Sequence, residues 1–179
     1  MERLCFALIF GIALQLSLAA ADEANEVPDS FLMFSKFPFA VAITDSDNDT
    51  IFECVTAKRA WFNMDTKRGE YIWLLKGHDG KPQKTIAFYV AEGKSPDTFL
   101  YMEGSEDAQP EIGTFYYTDY ENCGVIDMPY HGGQCALWAS EAGKDSLPQR
   151  CLEEFSKHCG VGTPKYSKDI CSDEEIMYW

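Results

Sequence analysis

From residue 39 onward, β-branched and aromatic residues recur in runs of five to nine, each bounded by turn-forming polar residues, Gly or Pro. Runs at 39–44 and 50–58 flank Asp45-Ser46-Asp47-Asn48-Asp49. Runs at 70–76 and 84–92 flank Gly77-His78-Asp79-Gly80, whose glycines accept the positive φ of a hairpin turn. A run at 98–103 follows Gly93-Lys94-Ser95-Pro96, and one at 112–120 follows the loop ending in Pro110. The last two, 123–128 and 134–139, flank Pro129-Tyr130-His131-Gly132-Gly133. Eight strands in a meander either close into a barrel or pack as a sandwich.

Helical signals bracket the strands. Asp29 or Ser30 is placed to cap a short helix over 31–34. Near the other end, Ser146 and Gln149 have the spacing of a capping box. Leu152, Phe155 and Cys159 follow on one stripe with Cys151 beside it, and Gly160, Gly162 and Pro164 stop the helix. One outer helix after eight antiparallel strands is lipocalin architecture. The expected fold is therefore all-β: an eight-stranded antiparallel up-and-down lipocalin barrel with a C-terminal α-helix packed outside.

The N-terminus bears on compartment. Arg3 precedes an apolar run at 4–18, Ala19-Ala20-Ala21 offers small residues for cleavage, and Asp22-Glu23 follows at once. This reads as a secretory signal peptide over 1–21 rather than a membrane span, with one lipocalin domain over 22–179. Cys5 leaves with the leader and six of the seven cysteines remain, an even number in an oxidising compartment. No C-x-x-C pair is present, so disulfides are expected and a zinc site is not. The net charge of −14 argues against a nucleic-acid binder; taken alone its first consequence is solubility, and steering of a cationic ligand is the second reading.

Several segments carry a resemblance to a known family. They are Asp47-Asn48-Asp49-Thr50-Ile51-Phe52-Glu53-Cys54, Phe115-Tyr116-Tyr117-Thr118-Asp119-Tyr120-x-Asn122-Cys123, Cys135-x-Leu137-Trp138, and Pro148-x-x-Cys151-x-x-x-Phe155-x-x-x-Cys159-Gly160. In these the chain resembles the tick salivary lipocalins, the histamine-binding-protein-like group. The resemblance implies a secreted barrel that sequesters host mediators at a feeding site, most often biogenic amines. In other members the ligand is a lipid mediator or a complement protein. The disulfide pairing expected here, one of fifteen, is Cys54–Cys171, Cys123–Cys151 and Cys135–Cys159. It ties the tail to an early strand and the last two strands to the helix.

Strand parity then nominates ligand contacts. A cysteine bonded to the helix or tail points out of the barrel, so its strand neighbours point in, provided no bulge intervenes. Gly124 and Ile126, Ala136 and Trp138, and Glu53 and Val55 are thereby expected to face the lumen. Amine-binding members resemble one another in carrying an acidic residue just after the first of these strand cysteines and a Glu before Leu-Trp. This chain has Gly124 and Ala136 at those positions. An amine would then rely on Glu53 or another inward carboxylate together with ring faces, through cation–π contacts of about 1–2 kcal/mol, and a lumen without those two acids equally suits a lipid. The candidate ligand-binding residues are Glu53, Trp73, Phe99, Tyr101, Tyr117 and Trp138. The blander reading of most of these aromatics is that they fill the barrel.

Enzymatic readings find little support. His78, His131 and His158 are the three histidines, and no nucleophile motif accompanies them. Asn48-Asp49-Thr50 is a glycosylation sequon on an expected surface turn. The expectation is a secreted, monomeric, non-enzymatic protein with neither cofactor nor metal, binding neither nucleic acid nor membrane. Its partner is a small molecule: a biogenic amine such as histamine or serotonin first, a lipid mediator second. A protein-binding inhibitor acting through outer loops is the alternative from a different class.

Overall fold

A computed structural model describes residues 26–47, 52–77, 84–130, 134–169 and 171. The expected leader, the Asn48 sequon and the turn residues around His78 and His131 lie outside the described residues. Helix α1 (Ser30–Lys36) leads into β1 (Phe39–Asp45), β2 (Phe52–Asn63), β3 (Arg68–Gly77) and β4 (Lys84–Glu92). The chain continues through β5 (Thr98–Glu103), β6 (Glu111–Thr118), β7 (Cys123–Met128), β8 (Gln134–Ser140), α2 (Gln149–Cys159) and a two-residue β9 (Thr163–Pro164). Strands β1 to β8 pair in order, and β1 pairs with both β8 and β2, which closes the barrel. β9 lies against the far end of β1, where Asp45 faces Thr163.

Period-two burial sorts the strand residues into two cores. Ile86, Phe88 and Val90 of β4 are buried while their neighbours are half-exposed or exposed, as one lumen-facing row requires. They join Trp73, Phe99, Tyr101, Phe115 and Trp138 inside the barrel. On the outer wall Cys123, Val125, Cys135 and Leu137 meet Cys151 and Phe155 of α2. The bridges Cys123–Cys151 and Cys135–Cys159 fasten α2 there, and Cys54–Cys171 fastens the tail to β2, the same three pairs expected above.

The C-terminal helix departs from expectation in two ways. It begins at Gln149, with Pro148 as an N-cap that makes no side-chain hydrogen bond, so the Ser146–Gln149 capping box does not form. Proline keeps the preceding residue, Leu147, out of the helical region, and the Ser146 amide is already bonded to Gly143 in a turn. Leu152 is 40% exposed rather than inward, because the helix presents Cys151, Glu154 and Phe155 to the wall. Glu154 is buried with Arg150 at 2.8 Å and Lys157 at 2.9 Å. Burial alone would raise its pKa, but these cations outweigh it and hold the carboxyl below its ordinary value.

Among the register slips of the sheet, two decide where Glu53 and Tyr117 point. In β2 the register slips between Glu53 and Thr56, with Cys54 at a φ of 52°. In β6 it slips between Phe115 and Tyr117. Each bulge adds a residue and reverses the alternation beyond it.

Near the β2 bulge the tail is held by Lys165, whose amide donates to Ile43 and whose carbonyl accepts from Cys54. Its ammonium lies 3.5 Å from Asp45, and both side chains are almost fully buried. Burial pushes the Asp45 carboxyl up to about 6 despite that cation.

Candidate functional site

Helix α1 plugs one end of the barrel. Asp29 caps it by accepting from the Leu32 amide at 2.8 Å. Its C-terminal carbonyls would be stranded over an apolar lumen without donors. The Tyr71 hydroxyl lies 2.8 Å from the Phe34 carbonyl and 3.1 Å from that of Phe37, and Arg59 Nη1 donates to Phe34 and Ser35 at 2.9 and 3.1 Å. Held in this way, Phe34 lies within 5.4 Å, ring to ring, of Tyr71, Phe99 and Phe115. Gly113 makes the Phe99 position accessible, since a Cβ there would stand 2.2 Å from Phe99 Cζ.

Above this plug lies a cavity of about 60 Å³. Trp73 stands between Phe88 at 4.5 Å and Trp138 at 4.8 Å, and Tyr101 lies 5.9 Å from Phe88. Among the described residues, none that lines the cavity is charged. An engineered cavity of about 150 Å³ admits benzene, so a ring enters this one only as neighbouring side chains yield. Met33 and Met128, unbranched thioethers in the wall, are suited to that movement.

The opposite end is different in character. Glu103 is the strand partner of Phe88, and Glu111 that of Tyr101, so both carboxylates stand on the lumen-facing rows where these rows reach the mouth. Tyr130 leans over the cavity, 5.4 Å from Phe88 and 6.3 Å from Trp73. Its hydroxyl is 3.5 Å from Lys84 Nζ and 3.5 Å from Glu103 Oε1, and burial with the Glu103 charge pushes its pKa up to about 12. Burial, then the charges of Glu111 and Glu103, raise the Tyr101 pKa as well, so the phenol is neutral. The site thus joins an aromatic, uncharged interior to an acidic mouth.

Four of the six nominated residues meet at the cavity: Trp73, Phe99, Tyr101 and Trp138. Glu53 and Tyr117 do not. The β2 bulge sets Glu53 opposite Lys76, on the face away from Trp73 and Leu75. The β6 bulge turns Tyr117 onto the outer wall, where Arg150 of α2 sits over its ring at 5.9 Å. Gly124 does border the lumen, and the space beside it is filled by Met33, whose Cε would lie 2.6 Å from an added Cβ. Sequence reasoning missed the α1 plug, Tyr130 and the two mouth carboxylates. Glu103 had a signal in the alternation Phe99-x-Tyr101-x-Glu103; Glu111 had none without the register.

The family profile of tick histamine binding protein matches residues 21–173. The chain belongs to the tick histamine-binding protein family. No curated protein sequence matches it. Solved structures similar to this family member include Japanin from Rhipicephalus appendiculatus bound to cholesterol, at 14% identity and a TM-score of 0.55, covering 73% of this chain and 94% of that one. The AM182 serotonin complex is similar at 14% identity and a TM-score of 0.57, covering 78% and 91%. Apocrustacyanin C1 aligns at 14% identity and 0.52, covering 79% and 88%. At these identities the likeness establishes the fold. Family and fold are those of ligand-binding lipocalins.

Proposed function

We propose that this lipocalin sequesters a small aromatic amine, with the ring in the lumen and the ammonium at the mouth. The observation that carries the reading is the junction of an uncharged aromatic cavity with Glu103 and Glu111 at its end. An ammonium buried in a dry cavity loses several kcal/mol of solvation, roughly, without a paired charge. A ligand that buries only its ring escapes that penalty and keeps its charge beside two carboxylates in contact with water. The net charge of −14 adds long-range attraction for a cation. Histamine and serotonin have this shape. Lys84, 4.0 Å from Glu103, is the cation such a ligand displaces.

The protein would be exported after loss of residues 1–21, carry glycan on Asn48 and act as a monomer at a feeding site. The three disulfides suit that compartment. Among the described residues no helix is long and apolar enough to cross a membrane. A second reading, a hydrophobic lipid mediator such as an eicosanoid or fatty acid with its hydrocarbon chain in the lumen, is favoured by the absence of charge among the described residues lining the cavity. Titration calorimetry with serotonin, histamine and arachidonic acid tests both. The amine reading expects heat from at least one amine with affinity falling as salt rises. Binding of the fatty acid alone would transfer the conclusion to the lipid reading.

A further inference from the structure

We propose that the Tyr101 hydroxyl is the group that reads the ligand's ammonium, accepting a hydrogen bond from it at the boundary between lumen and mouth. The inference rests on the amine reading and names the residue that gives it selectivity. Tyr101 is 1% exposed; its Oη completes no hydrogen bond of full geometry, and Glu111 acts on it only as an acceptor for its proton, so the oxygen lone pairs are unused. Buried hydroxyls are ordinarily paired, and one left alone forfeits its hydration for nothing. The other orphaned hydroxyl among the described residues, Thr56 Oγ1, is on the outer face opposite Val41 and Leu74. The second tyrosine hydroxyl of the cavity wall, on Tyr71, is already committed to the α1 carbonyls. Of the described tyrosines that line the cavity, Tyr101 is therefore the one whose oxygen is left to meet a guest.

Its surroundings decide which guest. The Glu111 and Glu103 charges act on the phenol, so its proton is drawn toward a carboxylate and its oxygen lone pairs are left for a donor. An ammonium at that point donates to Oη and is stabilised by both anions. A carboxylate ligand there would face the same anions, and Lys84 at the mouth is already paired with Glu103. The geometry thus favours a ring bearing a short aminoalkyl chain over a ring or hydrocarbon bearing an acid.

The test compares wild type and Tyr101→Phe in titrations with tryptamine and with 3-ethylindole, which keeps the ring and lacks the ammonium. Tyr101→Phe is expected to weaken tryptamine binding by about tenfold to a hundredfold, the worth of a hydrogen bond to a charged group, and 3-ethylindole binding by less than about twofold. The variant's Tm is expected to change little, since the Glu111 carboxylate that faces the phenol is exposed and is hydrated when the hydroxyl is removed. Equal weakening of both ligands, unchanged tryptamine affinity, or a lowered Tm with unchanged selectivity would overturn the assignment. If the wild type binds 3-ethylindole and not tryptamine, the amine reading itself falls, and the anchor with it. If wild type and variant bind tryptamine equally, only the anchor falls.

Discussion

Replacing Gly124 with Asp would put a carboxylate where amine-binding relatives are expected to carry one, and the structure specifies what it would meet. The new Cβ lies 2.6 Å from Met33 Cε and 3.4 Å from Phe115 Cε1. Met33 must swing away, which a flexible thioether does at small cost, although its sulfur also accepts from Thr118 at 2.9 Å. The larger penalty is electrostatic, because the lining offers the carboxylate no cation. Burial raises such a pKa by about two to three units, and at about 1.4 kcal/mol per unit the penalty is roughly 3–4 kcal/mol at neutral pH. Gly124→Asn is the control, since it repeats the steric change without the charge. The raised native pKa means that the folded state binds the extra proton, so the destabilisation is complete above that pKa and vanishes below the unfolded value near 3.9. Urea unfolding should therefore show Gly124→Asp less stable than Gly124→Asn by about that amount near pH 7.5, with the gap closing toward pH 4. A gap near zero throughout would mean that this wall is neither dry nor apolar, and the description of the lumen would be wrong.

Further expectations follow from other parts of the fold. Joint replacement of Cys54 and Cys171 by Ser opens a loop spanning 117 residues and should lower stability by about 3–5 kcal/mol in denaturant titrations. Asp45, with its pKa raised to about 6, binds a proton in the folded state that the unfolded chain has already released. Wild type should therefore lose stability relative to Asp45→Asn as pH rises from about 4 to 6, and the difference should be level above that window. Glu53→Gln and Tyr117→Phe, both on the outer face, should leave amine affinity unchanged by calorimetry; a loss in either would return that residue to the lumen.

The sequence exposed the barrel because its strands obey simple alternation and are separated by strong turn residues. Phe99 and Tyr101 could be assigned inward because β5 is regular, and Trp138 because Cys135 had to face α2. Glu53 and Tyr117 could not, since each follows or enters a bulge, and a register slip leaves no mark in composition. Ser146 looked like a cap until Pro148 fixed where the helix starts, a local steric effect that outranks a favourable hydrogen-bond pattern. Glu111 became visible only through its pairing with Tyr101, a contact between strands joined by a loop whose length does not set the register. The plug formed by Phe34 belonged to a helix too short to announce where it would dock.

The ring-in, ammonium-out arrangement depends on the mouth carboxylates, so the most direct measurement is amine affinity in the double variant Glu103→Gln, Glu111→Gln. With serotonin as ligand at low ionic strength, the variant should bind about tenfold to a hundredfold more weakly than wild type, the range for charge-assisted hydrogen bonds. Its affinity should also fall less steeply with rising salt than that of the wild type. Equal affinity and an equal salt response in the two proteins would show that the ammonium is held elsewhere, and the ring-in, ammonium-out arrangement would be refuted.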